Sequence, residues 1–365
     1  MMTQIHTTPT FPPLHILPSN NIVKLSIIDT TSRIKGPPTN AFFEPTIKGF
    51  EVMDCPAYAF LIEHEQSNSK LVFDLGVSKY WRNGPPVISN KLLEFGWDIS
   101  VPKTVSEILT DHGVPLQAIN TVIWSHWHWD HTGDPDLFPN TTSLTVGPGF
   151  KSAMLPGYPT NPESPILESA YKDRQLIEIS FDNSPEHIGG FRALDYFGDG
   201  SFYLVDSPGH AIGHLCGLAR TTPDTFVFMG ADICHHGGQM RPTKYLPLPE
   251  SISPNPFPCR LTASECPGSL LIEVHPKNSP TQPFYHVADP PQGGAASTDP
   301  AEAQRSLEKL LDIDCHENIF TVIAHDATML GVVDFFPRTL NDWKSKGYRE
   351  MTMWKFLKDF EGALL

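Results

Sequence analysis

The sequence is poor in positive charge for its length. Its 365 residues include 26 lysines and arginines against 41 aspartates and glutamates, which gives a formal net charge of −15 at pH 7. This balance argues against nucleic acids and anionic membrane surfaces as partners. It does not exclude small neutral or anionic substrates, because a bound metal ion would be a local positive charge.

Long apolar runs, paired cysteines and internal repeats are also missing. No stretch approaches the ~18 consecutive apolar residues of a membrane-spanning helix. Residues 1–18 lack the positive and then apolar pattern of a secretory signal peptide, so we expect a cytoplasmic location. The six cysteines contain no CxxC pair, which predicts free thiols, with a local bridge between Cys259 and Cys266 as the alternative.

The pattern of apolar residues predicts an arm followed by one α/β domain. Residues 1–20 are rich in threonine and proline and predict a flexible arm, and residues 21–365 are expected to form a single domain. A segment at about residues 237–300 is dense in proline, serine and glycine, which predicts a lid or binding loop. Strands are predicted at residues 22–28, 57–63, 70–74, 121–124, 143–147, 192–197, 202–205, 214–219, 226–229 and 319–324, and helices at 104–112, 301–312, 339–345 and 351–360.

Residues 125–134 form the most informative stretch, because they hold three histidines and an aspartate within six positions. They follow the predicted strand 121–124, so His126 and His128 are two apart in an extended segment and can point the same way. Asp130 and His131 come where the chain must bend. Imidazole nitrogens and carboxylate oxygens are the ligands that zinc and similar divalent metals accept.

Three later residues follow predicted strands in the same manner. Each has a side chain suited to a metal and stands where a strand ends: His210, Asp232 and His325. A single histidine after a strand is weak evidence, since such residues are more often structural. The ordered set predicts that loops at one edge of a sheet gather these side chains around metal ions.

The series His126-x-His128-x-Asp130-His131, His210, Asp232, His325 resembles the ligand set of the binuclear metallo-β-lactamase superfamily, over about residues 22–326. The residues of the motif, Ser125–Asp134, are most similar to those of the lactonase-like group, in particular its fungal-type members. The resemblance implies an αββα sandwich, with two mixed sheets flanked by helices and the site at one edge between the sheets.

The resemblance also implies two divalent ions, zinc first and iron or manganese as alternatives. One ion would be held by His126, His128 and His210, the other by Asp130, His131 and His325, with Asp232 bridging them. Metal binding lowers the pKa of a bridging water toward ~7, so a hydroxide can attack a polarised carbonyl without a serine or cysteine nucleophile.

Four residues in or near this ligand set have catalytic or structural roles that the sequence leaves less certain. Asp130 and His235 are the candidate catalytic residues, and His235 takes the place of a tyrosine that many acyl-homoserine-lactone lactonases have three residues after the bridging aspartate. His235 could equally be a lid residue. Asp74 either orients a ligand histidine or only forms a turn before Gly76. His214 is expected to be structural.

The leading hypothesis is a dinuclear hydrolase that opens a lactone or a related cyclic ester or amide. An acyl thioesterase acting on carrier-bound or coenzyme-bound chains is the alternative, because a thioester presents the same carbonyl. An iron-dependent redox member is less favoured, since no flavin or nucleotide fingerprint is present. The expected partner is a small acyl or lactone substrate, and the oligomeric state stays open.

Five aromatic residues are candidates for an apolar substrate pocket: Trp81, Trp97, Trp127, Trp129 and Phe150.

Overall fold

The structure is a computed structural model that describes residues 10–257, 263–290 and 294–364. Cys259 lies outside these residues, and the other five cysteines are buried free thiols, as predicted. No helix within the described ranges is long and apolar enough to cross a membrane.

Strands dominate the described chain. In chain order they are β1 (Lys24–Pro38), β2 (Phe43–Glu44), β3 (Val52–His64), β4 (Ser69–Phe73), β5 (Asp98–Ser100), β6 (Thr121–Ile123), β7 (Ser143–Val146), β8 (Leu176–Glu178), β9 (His187–Ile188), β10 (Phe191–Asp195), β11 (Phe202–Asp206), β12 (Leu215–Thr222), β13 (Thr225–Ala231), β14 (Ser251–Ile252), β15 (Cys266–Pro267), β16 (His286–Val287) and β17 (Ile319–Ile323).

The helices are shorter and fewer. In chain order they are α1 (Pro86–Phe95), α2 (Val105–Asp111), α3 (Trp129–Thr132), α4 (Phe150–Met154), α5 (Gly237–Met240), α6 (Gly268–Val274), α7 (Pro300–Asp314) and α8 (Tyr348–Met353). A 3-10 helix, Lys355–Leu364, follows and is named the C-terminal segment below. Helix α2 begins with a capping box, because the Thr104 side chain accepts from the backbone N–H of Glu107 and the Glu107 carboxylate accepts from that of Thr104.

Two mixed sheets form the centre of the fold. The first has the order β5-β1-β3-β4-β6-β7-β8 and the second has the order β17-β13-β12-β11-β10-β9. In the first sheet β4, β6, β7 and β8 are parallel. In the second, β11 and β13 are both antiparallel to β12, and β17 is parallel to β13. The carboxyl ends of β11, β13 and β17 therefore meet at one edge.

Apolar side chains fill three layers around these sheets. Phe60 and Phe73 of the first sheet pack with Leu204 and Val322 of the second in the core between them. Helices α2 and α4 cover the outer face of the first sheet, and α7 covers that of the second. The αββα sandwich predicted from the sequence is confirmed.

Two predicted elements are wrong in their extent or type. Strand β1 continues to Pro38, ten residues beyond the predicted strand 22–28, with an irregularity between Asp29 and Arg33. Residues 339–345 form turns instead of a helix. The reason is Asn341, whose amide accepts from the N–H of Leu25 and donates to the carbonyl of Val23. These bonds fasten the segment along β1, so its backbone does not close into a helix.

The segment at residues 237–300 contains short elements where it is described, namely α5, β14, β15, α6 and β16. Its apolar residues Phe284 and Tyr285 pack against Phe356 and Phe360 of the C-terminal segment. A role as a lid or binding loop stays a prediction. In the expected arm, Leu14 is buried and the carbonyl of Leu17 accepts from Arg220.

Candidate metal centre

The opening motif lies on the chain that leaves β6. His126 and His128 occupy the extended stretch after the strand, and Asp130 and His131 lie on the single turn of α3, which has His128 as its N-cap. The three later residues follow β11, β13 and β17, whose carboxyl ends share one edge. The structure therefore brings together all seven residues that the sequence nominates as ligands, and metal ligation by them stays a prediction.

The seven side chains form two groups. The ligand atoms of His126, His128, His210 and Asp232 lie within 4.8 Å of one another, and so do those of Asp130, His131 and His325. We name these the first and the second group.

Asp232 faces both groups with different oxygens. Its Oδ2 is 3.4 Å from His210 Nε2 and 3.8 Å from His126 Nε2. Its Oδ1 is 3.1 Å from His131 Nε2 and 3.3 Å from His325 Nε2. This is the placement that a carboxylate needs in order to bridge two cations.

Hydrogen bonds on the far side of the rings fix which nitrogen points inward. His131 Nδ1 donates to Asp74 Oδ2 at 2.8 Å, and His325 Nδ1 donates to the carbonyl of Pro56 at 2.8 Å. Ser125 Oγ, itself bonded to Asp74, lies 3.0 Å from His126 Nδ1. Each ring therefore turns Nε2 toward the centre, as metal-binding histidines do when an outer partner holds the other nitrogen. Asp74 orients His131 and also has a turn conformation, with φ 61°.

The two groups differ in their proton affinity. Burial lowers the pKa of His128 and of His210 to about 3 and that of His126 well below its ordinary value. Burial also acts on His131, but Asp232 and Asp74 outweigh it and raise the pKa to about 10. The pKa of His325 is raised in the same way by Asp232, again against the effect of burial.

Several buried atoms of the centre have no hydrogen-bond partner in the described chain, namely His126 Nε2, His131 Nε2, His210 Nδ1 and Asp232 Oδ1. Leaving a buried polar atom without a partner costs about 1–3 kcal/mol. Two of these atoms, His126 Nε2 and His131 Nε2, face the Asp232 carboxylate at 3.8 Å and 3.1 Å. A nitrogen and oxygen donor set of this kind fits divalent cations such as zinc.

Two further histidines border the centre. His214 accepts from the backbone N–H of Asp232 through Nε2 at 3.2 Å, and its Nδ1 lies 3.0 Å from the carbonyl of Ser207. It holds the Asp232 loop, which agrees with the expected structural role. His235 Nε2 donates to Asp232 Oδ2 at 3.2 Å, and its ring packs against Phe42 at 4.8 Å. The structure thus places His235 within the centre, and its catalytic role stays a prediction.

A cleft of about 640 Å³ opens beside His235 and His325. Its walls come from residues 49, 50 and 52–55, from the loop after His325 and from the C-terminal segment, which contributes both basic and acidic side chains: Lys355, Lys358, Asp359 and Glu361. In the described residues, none of the five aromatic candidates lines this cleft. Trp81 and Trp129 instead line a separate apolar cavity of about 290 Å³, which residues 132–137 also line.

Sequence reasoning missed the C-terminal wall of the cleft and the contact of Phe42 with His235. It also missed the bond between His236 Nε2 and Asp359 Oδ2, 3.2 Å long, which ties the C-terminal segment to the chain after His235. These residues belong to no motif. Only the helical character of the C-terminal stretch was visible in the sequence.

Comparison with known proteins agrees with this geometry. The sequence profile of the Metallo-beta-lactamase superfamily matches residues 52–227. A relative that is 46% identical aligns over 96% of this chain and 85% of its own length. The chain therefore belongs to the metallo-β-lactamase superfamily, and it is a metal-dependent hydrolase of that fold.

That relative is Gamma-lactamase FDB1 of Fusarium pseudograminearum (strain CS3096), aligned over 356 residues. Metallo-hydrolase mfmC of Annulohypoxylon moriforme is 41% identical over 98% of this chain and 93% of its own. Among solved structures, an N-acyl homoserine lactone hydrolase with the product N-hexanoyl-L-homoserine bound at its catalytic metal centre has a TM-score of 0.56. It is 16% identical and covers 87% of this chain and 99% of its own, which supports the fold alone.

Proposed function

We propose that the protein is a dinuclear metallohydrolase that opens a γ-lactam or the corresponding γ-lactone. The observation that carries this proposal is the position of Asp232, whose two oxygens face two separate groups of ligand side chains. The relative named a gamma-lactamase supports the choice of ring. The structural neighbour with an opened homoserine lactone as its product supports the ester as a second form of the same reaction.

In this proposal His126, His128 and His210 hold one divalent ion, and Asp130, His131 and His325 hold the other, with Asp232 between them. When bound, such a pair supplies a Lewis acid for the carbonyl oxygen and hydroxide at neutral pH. Zinc suits the nitrogen-rich donor set best. The two carboxylates reduce the net charge of two dications, which makes a buried pair tolerable.

His235 has the position and chemistry to serve the leaving group. Ring opening of an amide leaves a nitrogen that must gain a proton, and a histidine can hold and deliver one. The Nε2–H of His235 is directed into the centre, toward Asp232, and the Phe42 ring packs against the imidazole. We assign His235 the delivery of this proton.

Metal content and a substrate panel test the proposal together. The purified protein is analysed for metals and then supplied with pyrrolidinone, γ-butyrolactone and an acyl-coenzyme A thioester. We expect two zinc ions per chain and ring opening of the lactam or the lactone. A single metal ion per chain contradicts the dinuclear centre. Turnover of the thioester alone favours the acyl thioesterase, and bound iron with no hydrolysis favours the redox alternative.

A further inference from the structure

The ring of His235 has few contacts that could fix its direction. Within the described ranges its imidazole makes one hydrogen bond, from Nε2 to Asp232 Oδ2 at 3.2 Å. Its ring contacts are with Phe42, His210 and His325, at centroid distances of 4.8, 4.9 and 5.9 Å. Ring packing does not set the direction of an N–H as a hydrogen bond does. The orientation of this side chain therefore depends on how its backbone is held.

The backbone at this point is held by the side chain of Gln239. Its Oε1 accepts from the N–H of His235 at 2.7 Å and from the N–H of His236 at 3.2 Å. Gln239 is buried, and so are both histidines. Without this oxygen the two N–H groups would lose the hydrogen bonds that they make in the described chain, which is costly for buried donors. One side-chain oxygen therefore fixes two successive peptide groups.

Gln239 reaches back from a helix that is itself fixed in place. It lies in α5, whose two glycines pack so closely on Phe356 and Tyr285 that an added Cβ atom would lie 2.6 and 2.9 Å from these rings. Directly after α5, the Arg241 guanidinium donates to the buried carboxylate of Asp314 at 2.6 and 2.7 Å. Helix α5 is thus tied to its surroundings at both ends, and it provides a rigid base for the segment before it.

The two histidines that Gln239 holds have different partners. His236 has an extended backbone, with φ −153° and ψ 142°, so the side chains at 235 and 236 point to opposite sides. Its Nδ1 accepts from the N–H of Gly238 at 3.0 Å, and its Nε2 donates to Asp359 Oδ2 at 3.2 Å. The ring of His235 faces the metal centre instead. Because that ring lacks such a pair of bonds, a shift of the backbone moves its N–H relative to the centre.

We propose that Gln239 is a positioning residue, which orients the Nε2–H of His235 by holding the backbone N–H groups of residues 235 and 236. This inference rests on the proposed function, because it concerns the proton that His235 delivers to the leaving group. A proton donor must lie within hydrogen-bond reach of the atom that receives the proton, and a small misplacement lowers the rate. Gln239 acts only through His235.

Capping of α5 is the competing explanation, since the bond to the N–H of His236 completes a capping box. A cap has the same effect whether or not His235 is present, whereas a positioning residue has its effect only through His235. Gln239→Met keeps the length of the side chain and removes the acceptor, and Gln239→Glu keeps an acceptor oxygen. Gln304→Met is the matched control, because Gln304 Oε1 accepts from the N–H of Val287 at 3.0 Å in another part of the chain.

The experiment is a double-mutant cycle between Gln239 and His235, measured on zinc-loaded protein with the lactam or lactone that the wild type opens. We expect Gln239→Met to lower kcat about tenfold and to leave KM and zinc content unchanged, because the loss of one orienting hydrogen bond corresponds to about that factor. In the His235→Gln background the same change should cause no further loss. Gln239→Glu should keep most of the wild-type kcat, and Gln304→Met should keep all of it.

Three kinetic results overturn the inference. The first is a wild-type kcat in Gln239→Met, and the second is an equal loss in both backgrounds or a loss of zinc, which is the signature of a cap. The third is a wild-type kcat in His235→Gln, because Gln239 would then have no proton delivery to support. If Gln239→Met does not fold, Gln239→Asn takes its place, since an amide that is one methylene shorter withdraws its oxygen from the two N–H groups.

A spectroscopic measurement separates failure of this inference from failure of the proposed function. The ring signals of His235 in ¹H–¹⁵N spectra of the zinc-loaded protein are assigned by their loss in His235→Gln, and they need no turnover. We expect these signals to shift in Gln239→Met and to stay in place in Gln304→Met. If the wild type opens no lactam or lactone, the proposed function fails, and shifted signals still support the positioning of His235. Unmoved signals in Gln239→Met reject it.

Discussion

The two groups of the candidate metal centre are built from the same residue types, but their surroundings shift the pKa values of their histidines in opposite directions. In the first group, burial keeps His126, His128 and His210 neutral, with pKa values of about 3 for the last two. In the second group, His131 and His325 face carboxylates that raise their pKa values, to about 10 for His131. The carboxylates decide the difference, because every one of these rings is buried.

This difference explains how the buried charge of Asp232 is stabilised in the metal-free protein. In the metal-free protein, protonated His131 and His325 supply the positive charge that the buried Asp232 needs, and their charges hold the pKa of Asp232 well below its usual value. A cation entering the first group meets neutral histidines and the carboxylate of Asp232. A cation entering the second group must displace protons, so its affinity rises with pH.

Removing the carboxylate shared by both groups should have the largest effect. In Asp232→Asn a neutral amide faces the histidines of both groups, and several kcal/mol of metal-ion stabilisation are lost. We expect kcat/KM to fall at least about a thousandfold, together with the zinc content. Asp224→Asn, at the exposed turn before the same strand, is the matched control. Full zinc occupancy and activity in Asp232→Asn would refute the bridging role.

Replacing His235 tests the comparison further, because this side chain contacts Asp232 without belonging to either group. A general acid contributes about 100-fold or more to a rate, so His235→Gln should lower kcat by about that factor. The zinc content should stay at the wild-type value. His187→Gln, an exposed histidine in β9, serves as the control. Loss of zinc in His235→Gln would instead make His235 a ligand.

Replacing Asp74 should affect the metal affinity of the second group and not that of the first. Asp74 accepts from His131 Nδ1 at 2.8 Å and from the N–H and Oγ of Ser125, and among the described residues it has no hydrogen bond to His128 or His210. Outer partners of this kind change metal affinity about 10–100-fold. We expect Asp74→Asn to weaken one of the two zinc ions by that factor in a chelator competition and to leave the other unchanged. Equal weakening of both ions would mean that Asp74 acts mainly through Ser125 and the shape of the motif.

The site could be predicted where a side chain follows directly from a strand end. His210, Asp232 and His325 each come after a short apolar strand, and these strands end at a common edge because β11 and β13 are both antiparallel to β12 and β17 is parallel to β13. The fold could be predicted for the same reason, since the alternation of strands and amphipathic helices permits few layered arrangements.

The cleft could not be predicted because its contacts join distant residues without a periodic pattern. Lys355 reaches Thr328 and Leu330 through backbone carbonyls, which carry no sequence signal. The failure at residues 339–345 has a similar origin, because one side chain, Asn341, outweighs a weak helical spacing by bonding to β1. Asp74 was ambiguous because its turn conformation and its contact with His131 are both real.

The smallest expected effect is on the pH dependence of stability. Once metal is removed, the melting temperature should depend on whether His131 of the second group is protonated. The pKa of His131 is raised in the folded metal-free protein from 6.5 to about 10. The stability that this shift provides is therefore complete below about pH 6.5 and is lost as the pH rises toward 10. We expect the melting temperature of chelated protein to fall across this range, while metal-loaded protein, whose His131 carries no exchangeable charge, changes less. Parallel melting curves in the two states would show that His131 is neutral without metal, and the contrast between the two groups would then disappear.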